Sequence, residues 1–135
     1  MPKSWSEKLH SKSLAKVETL DKPMMGLPAG TRLYIATPLI VQQLIADIPK
    51  GQTRTIAQIR ESLAQENGAD ATCPLTTGIF VRIVAEESYE RMQEGAPDSE
   101  VAPFWRVIEP KSPLAKKFSG GPDVIKALRA KEGIA

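Results

Sequence analysis

Ile48-Pro49-Lys50-Gly51-Gln52-Thr53-Arg54-Thr55-Ile56-Ala57-Gln58-Ile59 is the stretch on which the fold turns, because it stops one helix and starts another. Pro49 and Gly51 close the helix before it, and Thr55 is placed to cap a second helix over 56–65 with Ile56, Ile59 and Leu63 inward. Upstream, Thr37 is a good N-cap and Pro38 suits a first helical position, where its missing N–H costs nothing. Leu39, Ile40, Leu44, Ile45 and Ile48 then form an apolar stripe. Before that helix, Thr31 to Ala36 has the β-branched and aromatic content of a short strand. Downstream, Gly68-Ala69-Asp70 makes a turn, and Thr72 is expected to cap a third helix with Pro74 in its first turn. Leu75, Ile79, Phe80, Ile83 and Val84 mark one apolar face of that helix, whose exposed residues grow acidic toward Glu94. Gly95-Ala96-Pro97 breaks it, and Phe104 to Ile108 has strand character. Ser112-Pro113 opens a short helical stretch, and Pro122 a terminal helix that ends at Gly133. The expected fold is mainly α with short β strands. Three helices followed by short extended segments suit a winged helix-turn-helix, in which the second helix supports the third as recognition helix.

Residues 1–30 carry weak periodicity and the punctuation Lys22-Pro23, Gly26, Leu27-Pro28 and Gly30. The segment 1–36 therefore reads as an arm that packs on a single domain over 37–135, with Trp5, Leu9 and Leu14 as its anchors. A length of 135 residues suits one modest core, and 41% hydrophobic with 25% charged residues is ordinary globular composition. The single cysteine, Cys73, can form no internal disulfide, the first ten residues lack the apolar core of a signal peptide, and no apolar run approaches the roughly 20 residues that span a bilayer. No membrane partner and a reducing, cytoplasmic setting are the expectation. His10 stands without a second histidine or a nearby cysteine, so neither a metal nor a nucleophilic triad is expected. Gly120-Gly121 lacks the spacing of a phosphate loop, and no cofactor is implied.

The net charge of +2 decides little, but its distribution is uneven. From Arg60 to Ala102, Arg60, Arg82 and Arg91 stand against Glu61, Glu66, Asp70, Glu86, Glu87, Glu90, Glu94, Asp98 and Glu100. From Arg106 to Ala135, Arg106, Lys111, Lys116, Lys117, Lys126, Arg129 and Lys131 outweigh Glu109, Asp123 and Glu132. The arm is basic too, so a polyanion would be steered to the two ends, while the acidic belt between them suits a protein partner.

Three separated motifs carry more than composition does. The first is the opening stretch, Ile48 to Ile59; the second is Pro103-Phe104-Trp105-Arg106-Val107-Ile108; the third is Phe118-Ser119-Gly120-Gly121, with a helix ending Lys131-Glu132-Gly133. In order and spacing they resemble the carboxy-terminal domain of the methylated-DNA cysteine alkyltransferases and of their non-enzymatic relatives, the alkyltransferase-like proteins. The matching family patterns are Ile-Pro-x-Gly-x-Val-x-Thr-Tyr-Gly-x-Ile, Pro-Cys-His-Arg-Val, and Tyr-Ser-Gly-Gly with a terminal Glu-Gly. The resemblance covers about residues 37–133. It implies a winged helix-turn-helix domain of alkyltransferase type that binds duplex DNA in the minor groove, in a repair setting.

The departures alter what is implied. Phe104 stands where the family's acceptor cysteine would be and Trp105 where its histidine would be, so no catalytic residue is assigned and the chain reads as non-catalytic. Leu75 replaces the arginine that fills the gap of a flipped nucleotide, and Ile56 replaces the tyrosine that rotates the phosphate. Lys50, Thr53, Arg54, Thr55, Gln58, Leu75, Thr76, Thr77, Gly78 and Arg82 form the expected DNA-contacting set. Pro103, Phe104, Trp105, Arg106, Ser119, Gly120 and Gly121 form a degenerate pocket. Its two adjacent aromatics either offer a stacking face to a base or plug the vacated space. The scarcity of aromatic residues favours the plug, and strand alternation would turn one ring inward and one outward. Two functions stay open: a sensor of damaged or alkylated DNA that binds weakly and salt-dependently, and a protein-interaction or small-ligand module that reuses the scaffold.

Overall fold

The computed structural model describes residues 3–134; Met1 and Pro2 of the arm, and Ala135, lie outside the described residues. Capping decides where the helices begin. The Thr37 hydroxyl accepts from the Ile40 amide to start α2 (Pro38–Ala46). Thr55 and Gln58 cap each other's backbone amides to start α3 (Ile56–Glu66). The Ser112 hydroxyl accepts from the Ala115 amide to start α5 (Pro113–Lys117), and α6 (Gly121–Lys131) follows the glycine turn. The arm contributes α1 (Trp5–Leu9), held by a reciprocal Ser4 and Glu7 cap. Together with α4 (Pro74–Gln93) these make six α-helices among the described residues, a mainly α fold with one small sheet.

Three short strands form that sheet: β1 (Lys16–Thr19), β2 (Arg32–Ile35) and β3 (Ala71–Thr72), in the order β1-β2-β3. β1 pairs antiparallel with β2, and β3 parallel to it. Asp70 accepts the Arg32 amide and Arg32 reaches the Gly68 carbonyl, so the turn before β3 is tied to β2 by polar contacts. All of these strands precede α4, and no strand follows it among the described residues, which corrects the expectation of extended segments after the third helix.

α4 is the axis on which the rest packs. It meets α1, α2, α3 and a 3-10 turn over Phe104–Arg106. Its buried face is Thr77, Val81, Val84, Ala85 and Ser88, closed by Val41 and Ile45 of α2 and by Ile59 and Leu63 of α3. Leu75 and Ile79, expected inward, are instead 63% and 48% exposed. Glu86 and Glu87, expected in a solvated acidic belt, are buried. Thr72 does not cap α4: it lies in β3 with its hydroxyl donated to the Arg60 carbonyl, and Cys73 takes the N-cap position without a side-chain bond. Phe104 to Ile108 is not a strand either. The Arg106 amide turns back to Pro103 and the Ile108 amide to Phe104, because no sheet edge faces this segment and curling lets both rings enter the core.

In the arm, Trp5 packs against α4 and Leu9 is buried in the main core, but Leu14 is 86% exposed and anchors nothing. Leu9→Ala is therefore expected to cost about 2–5 kcal/mol of folding free energy, and Leu14→Ala under about 0.5, read from paired denaturant titrations.

Candidate nucleic-acid interface

Phe104 and Trp105, expected in a degenerate pocket, lie inside the protein. Phe104 is 0% and Trp105 1% exposed, and Pro103 is also buried. Phe104 meets the Trp105 ring edge-on at 5.2 Å and the Phe118 ring at 5.1 Å, and Tyr89 closes on Phe118 at 5.2 Å. Both rings of the pair point inward, contrary to the alternation expected of a strand, and the space is filled. Cys73 is buried beside Leu20 and Leu33 in a separate small cluster.

The polar end of this aromatic block is a network centred on Glu132. Arg106 grips its carboxylate with two hydrogen bonds at 2.8 and 2.6 Å, the Trp105 Nε1–H donates to it at 3.1 Å, and so does the Gly51 amide at 3.1 Å. Arg106 also donates to the Ile48 carbonyl at 2.7 Å, while its own carbonyl accepts the Arg54 amide. Gly51 sits at φ +82, a left-handed conformation that aims its N–H at the carboxylate. The Arg106 bonds, against the opposing effect of burial and with help from Gly51 and Trp105, lower the Glu132 pKa to about 2. Arg129, like Arg106 counted among the basic residues of the carboxy-terminal stretch, is buried and donates to the Trp105 and Ile108 carbonyls. Burial lowers its pKa while the nearby Glu109 raises it.

The glycine loop is latched from below. Buried Glu86, 2% exposed, accepts the Ser119 hydroxyl at 2.5 Å, the Ser119 amide at 3.2 Å and the Arg82 Nε at 3.4 Å. At Gly120 a Cβ would come within 2.8 Å of the Phe118 ring and 3.1 Å of the Tyr89 ring. Gly121 begins α6.

Only part of the expected contact set faces solvent on one surface. A hollow of about 460 Å³ lies between the starts of α3 and α4 and the helix α5. Leu75, Gly78 and Ile79 form one wall, Ile56, Pro113 and Leu114 the others, and Arg60, Arg82 and Lys117 the rim. Arg82 lies 5.5 Å under the Trp5 ring, which Lys8 covers from 4.3 Å. Several of the remaining expected contacts are otherwise engaged. Thr55 and Gln58 spend their side chains on the α3 cap, and Arg54 donates to Ser62 and to the Gln58 carbonyl. Thr77 is buried with its hydroxyl on the Cys73 carbonyl, which corrects its placement at the surface. Thr76 is half-buried, and its hydroxyl oxygen has no partner among the described residues. Thr53 and Lys50 are exposed, Lys50 beside the Glu132 network. Lys117 belongs to the basic carboxy-terminal group expected to meet a polyanion, whereas Arg60 carries no such signal in the sequence; only the fold brings the two to one rim. No group of three or more metal-ligating side chains is present among the described residues. Among the described residues no helix is long and apolar enough to cross a membrane.

No family model, curated protein or solved structure matches this chain.

Because the folded Glu132 pKa lies below its ordinary value of 4.5, its stabilisation is full above about pH 5 and is lost as pH falls toward 2. Glu132→Gln is expected to remove on the order of 3 kcal/mol at neutral pH and to flatten the acid limb of a stability–pH curve. Gly120→Ala is expected to cost about 1–3 kcal/mol through the clash with Phe118 and Tyr89, measured by chemical denaturation.

Proposed function

We propose that this chain is a non-catalytic, alkyltransferase-like helix-turn-helix protein that binds duplex DNA through the hollow between α3, α4 and α5. The observation that carries the reading is the composition of that surface. Three cations rim an apolar wall on the outer face of the second helix of a helix pair, and no carboxylate lines it among the described residues. Arg60 and Lys117 are in no ion pair among the described residues, so their charge is available to phosphate. Gly78 has nothing within 4 Å of where a Cβ would stand, which leaves the α4 backbone open to close approach.

A second contact supports the resemblance. Trp105 and Glu132 stand at the positions matching the family's histidine and terminal glutamate, and they are hydrogen-bonded at 3.1 Å. Such a bond is what an inherited scaffold would retain after the nucleophile was replaced. Of the winged helix-turn-helix expectation, the proposal keeps the helix pair α3 and α4. A role as a sensor of damaged or alkylated DNA in repair belongs to the same proposal and rests on the resemblance. The acidic stretch offers less support for the protein-interaction alternative than its sequence suggested, since Glu86 and Glu87 are turned inward.

The test is fluorescence anisotropy of the full chain with a labelled duplex. Neutralising two phosphates should weaken binding about 12-fold between roughly 50 and 200 mM salt. Arg60→Ala with Lys117→Ala should lower affinity and shallow that salt slope. Salt-independent binding would remove the assigned surface, and no binding at low salt would remove the DNA reading in favour of a protein-interaction module.

A further inference from the structure

We propose that Leu75 and Ile79 form a wedge that kinks duplex DNA at a deformable base step without extruding a base, so that the preferred ligand is a mismatched or bulged duplex. This rests on the duplex-binding reading above and specifies its ligand.

The two side chains are one turn apart on α4, so they stand side by side as a ridge. At 63% and 48% exposed they are large apolar groups that the core has not taken. The bare backbone at Gly78 flanks the ridge in the same hollow, and nothing lies within 4 Å of where its Cβ would stand. Such a ridge can enter a minor groove closely, with Arg60 and Lys117 positioned on its rim to meet the phosphates. Minor-groove proteins of other folds use leucine, isoleucine and similar side chains in this way, and the unstacking they cause is easiest where pairing is already weak.

Extrusion is a different matter. The interior that the resemblance assigns to an extruded base is occupied by the packed rings of Phe104, Trp105 and Phe118. The loop that would admit a base is held down by Ser119 on buried Glu86. The surface therefore has a part that inserts into the stack and no place to receive what a flip would deliver.

The test uses the full chain and two end-labelled duplexes that differ only in a central mismatch or bulge. The mismatched duplex should bind about tenfold more tightly, since part of its unstacking is already done. Energy transfer between the ends of the fully paired duplex should rise on binding, and its imino proton resonances should all persist. Leu75→Ala with Ile79→Ala, exposed changes that suit a helix, should abolish both the preference and the bend. Leu75→Lys with Ile79→Lys should abolish the bend while strengthening salt-sensitive binding. Loss of one imino resonance with its base extruded would overturn the wedge, as would equal binding of the two duplexes or a bend that survives both double variants. Those results leave the duplex-binding reading standing; absence of any duplex binding ends both.

Discussion

The carboxylate of Glu132 is the point to which three distant parts of the chain are tied. It draws in the guanidinium of Arg106, the indole of Trp105 and the amide of Gly51, and through Arg106 it reaches the carbonyl of Ile48. The turn between α2 and α3, the aromatic 3-10 turn and the end of α6 are thus held by one anion. A pair buried to this degree is stabilising only when its remaining hydrogen-bond capacity is met, and here four donor groups converge on two oxygens. The aromatic block depends on the same anchor. Trp105 can be fully enclosed because its N–H has a charged acceptor, and its enclosure lets Phe104 and Phe118 stack behind it.

Most of the helical frame is legible in the sequence because caps and breakers act locally. Thr37-Pro38, Pro49 with Gly51, Thr55 and Ser112-Pro113 set boundaries within a residue or two of those found. The misses arise where tertiary contacts override local signals. β1 is Lys16-Val17-Glu18-Thr19, wholly exposed and without an apolar alternation to betray it; pairing with β2 alone makes it a strand. Phe104 to Ile108 has strand composition but no edge to join. α4 is misread only near its start: Phe80, Ile83 and Val84 face the core as their apolar spacing suggests, but Leu75 and Ile79 stand outside, and the helix also keeps Thr77, Glu86 and Ser88 inside.

Legibility of the candidate site follows the same division. That Phe104 and Trp105 fill space rather than offer a reactive group can be anticipated from the two adjacent rings, whereas the latch of Ser119 on buried Glu86 cannot. The rim of the hollow cannot, because Arg60 and Lys117 come from helices far apart in sequence. Charge counting also credits Arg106 and Arg129 to a solvent-facing basic pole, whereas both are consumed by internal acceptors. Their value is architectural, and the pole that remains is smaller than the sequence implies.

The sheet joins a contact that is cheap to make with one that is expensive. β1 and β2 form an antiparallel pair, whereas β3 meets β2 in parallel only after the chain has passed through α2 and α3, and the Asp70 clasp on Arg32 spans 38 positions. Closing that loop loses chain entropy before any ladder bond repays it. The seam between β2 and β3 is therefore the non-local part of the sheet, and it depends on α3 to carry β3 to its place.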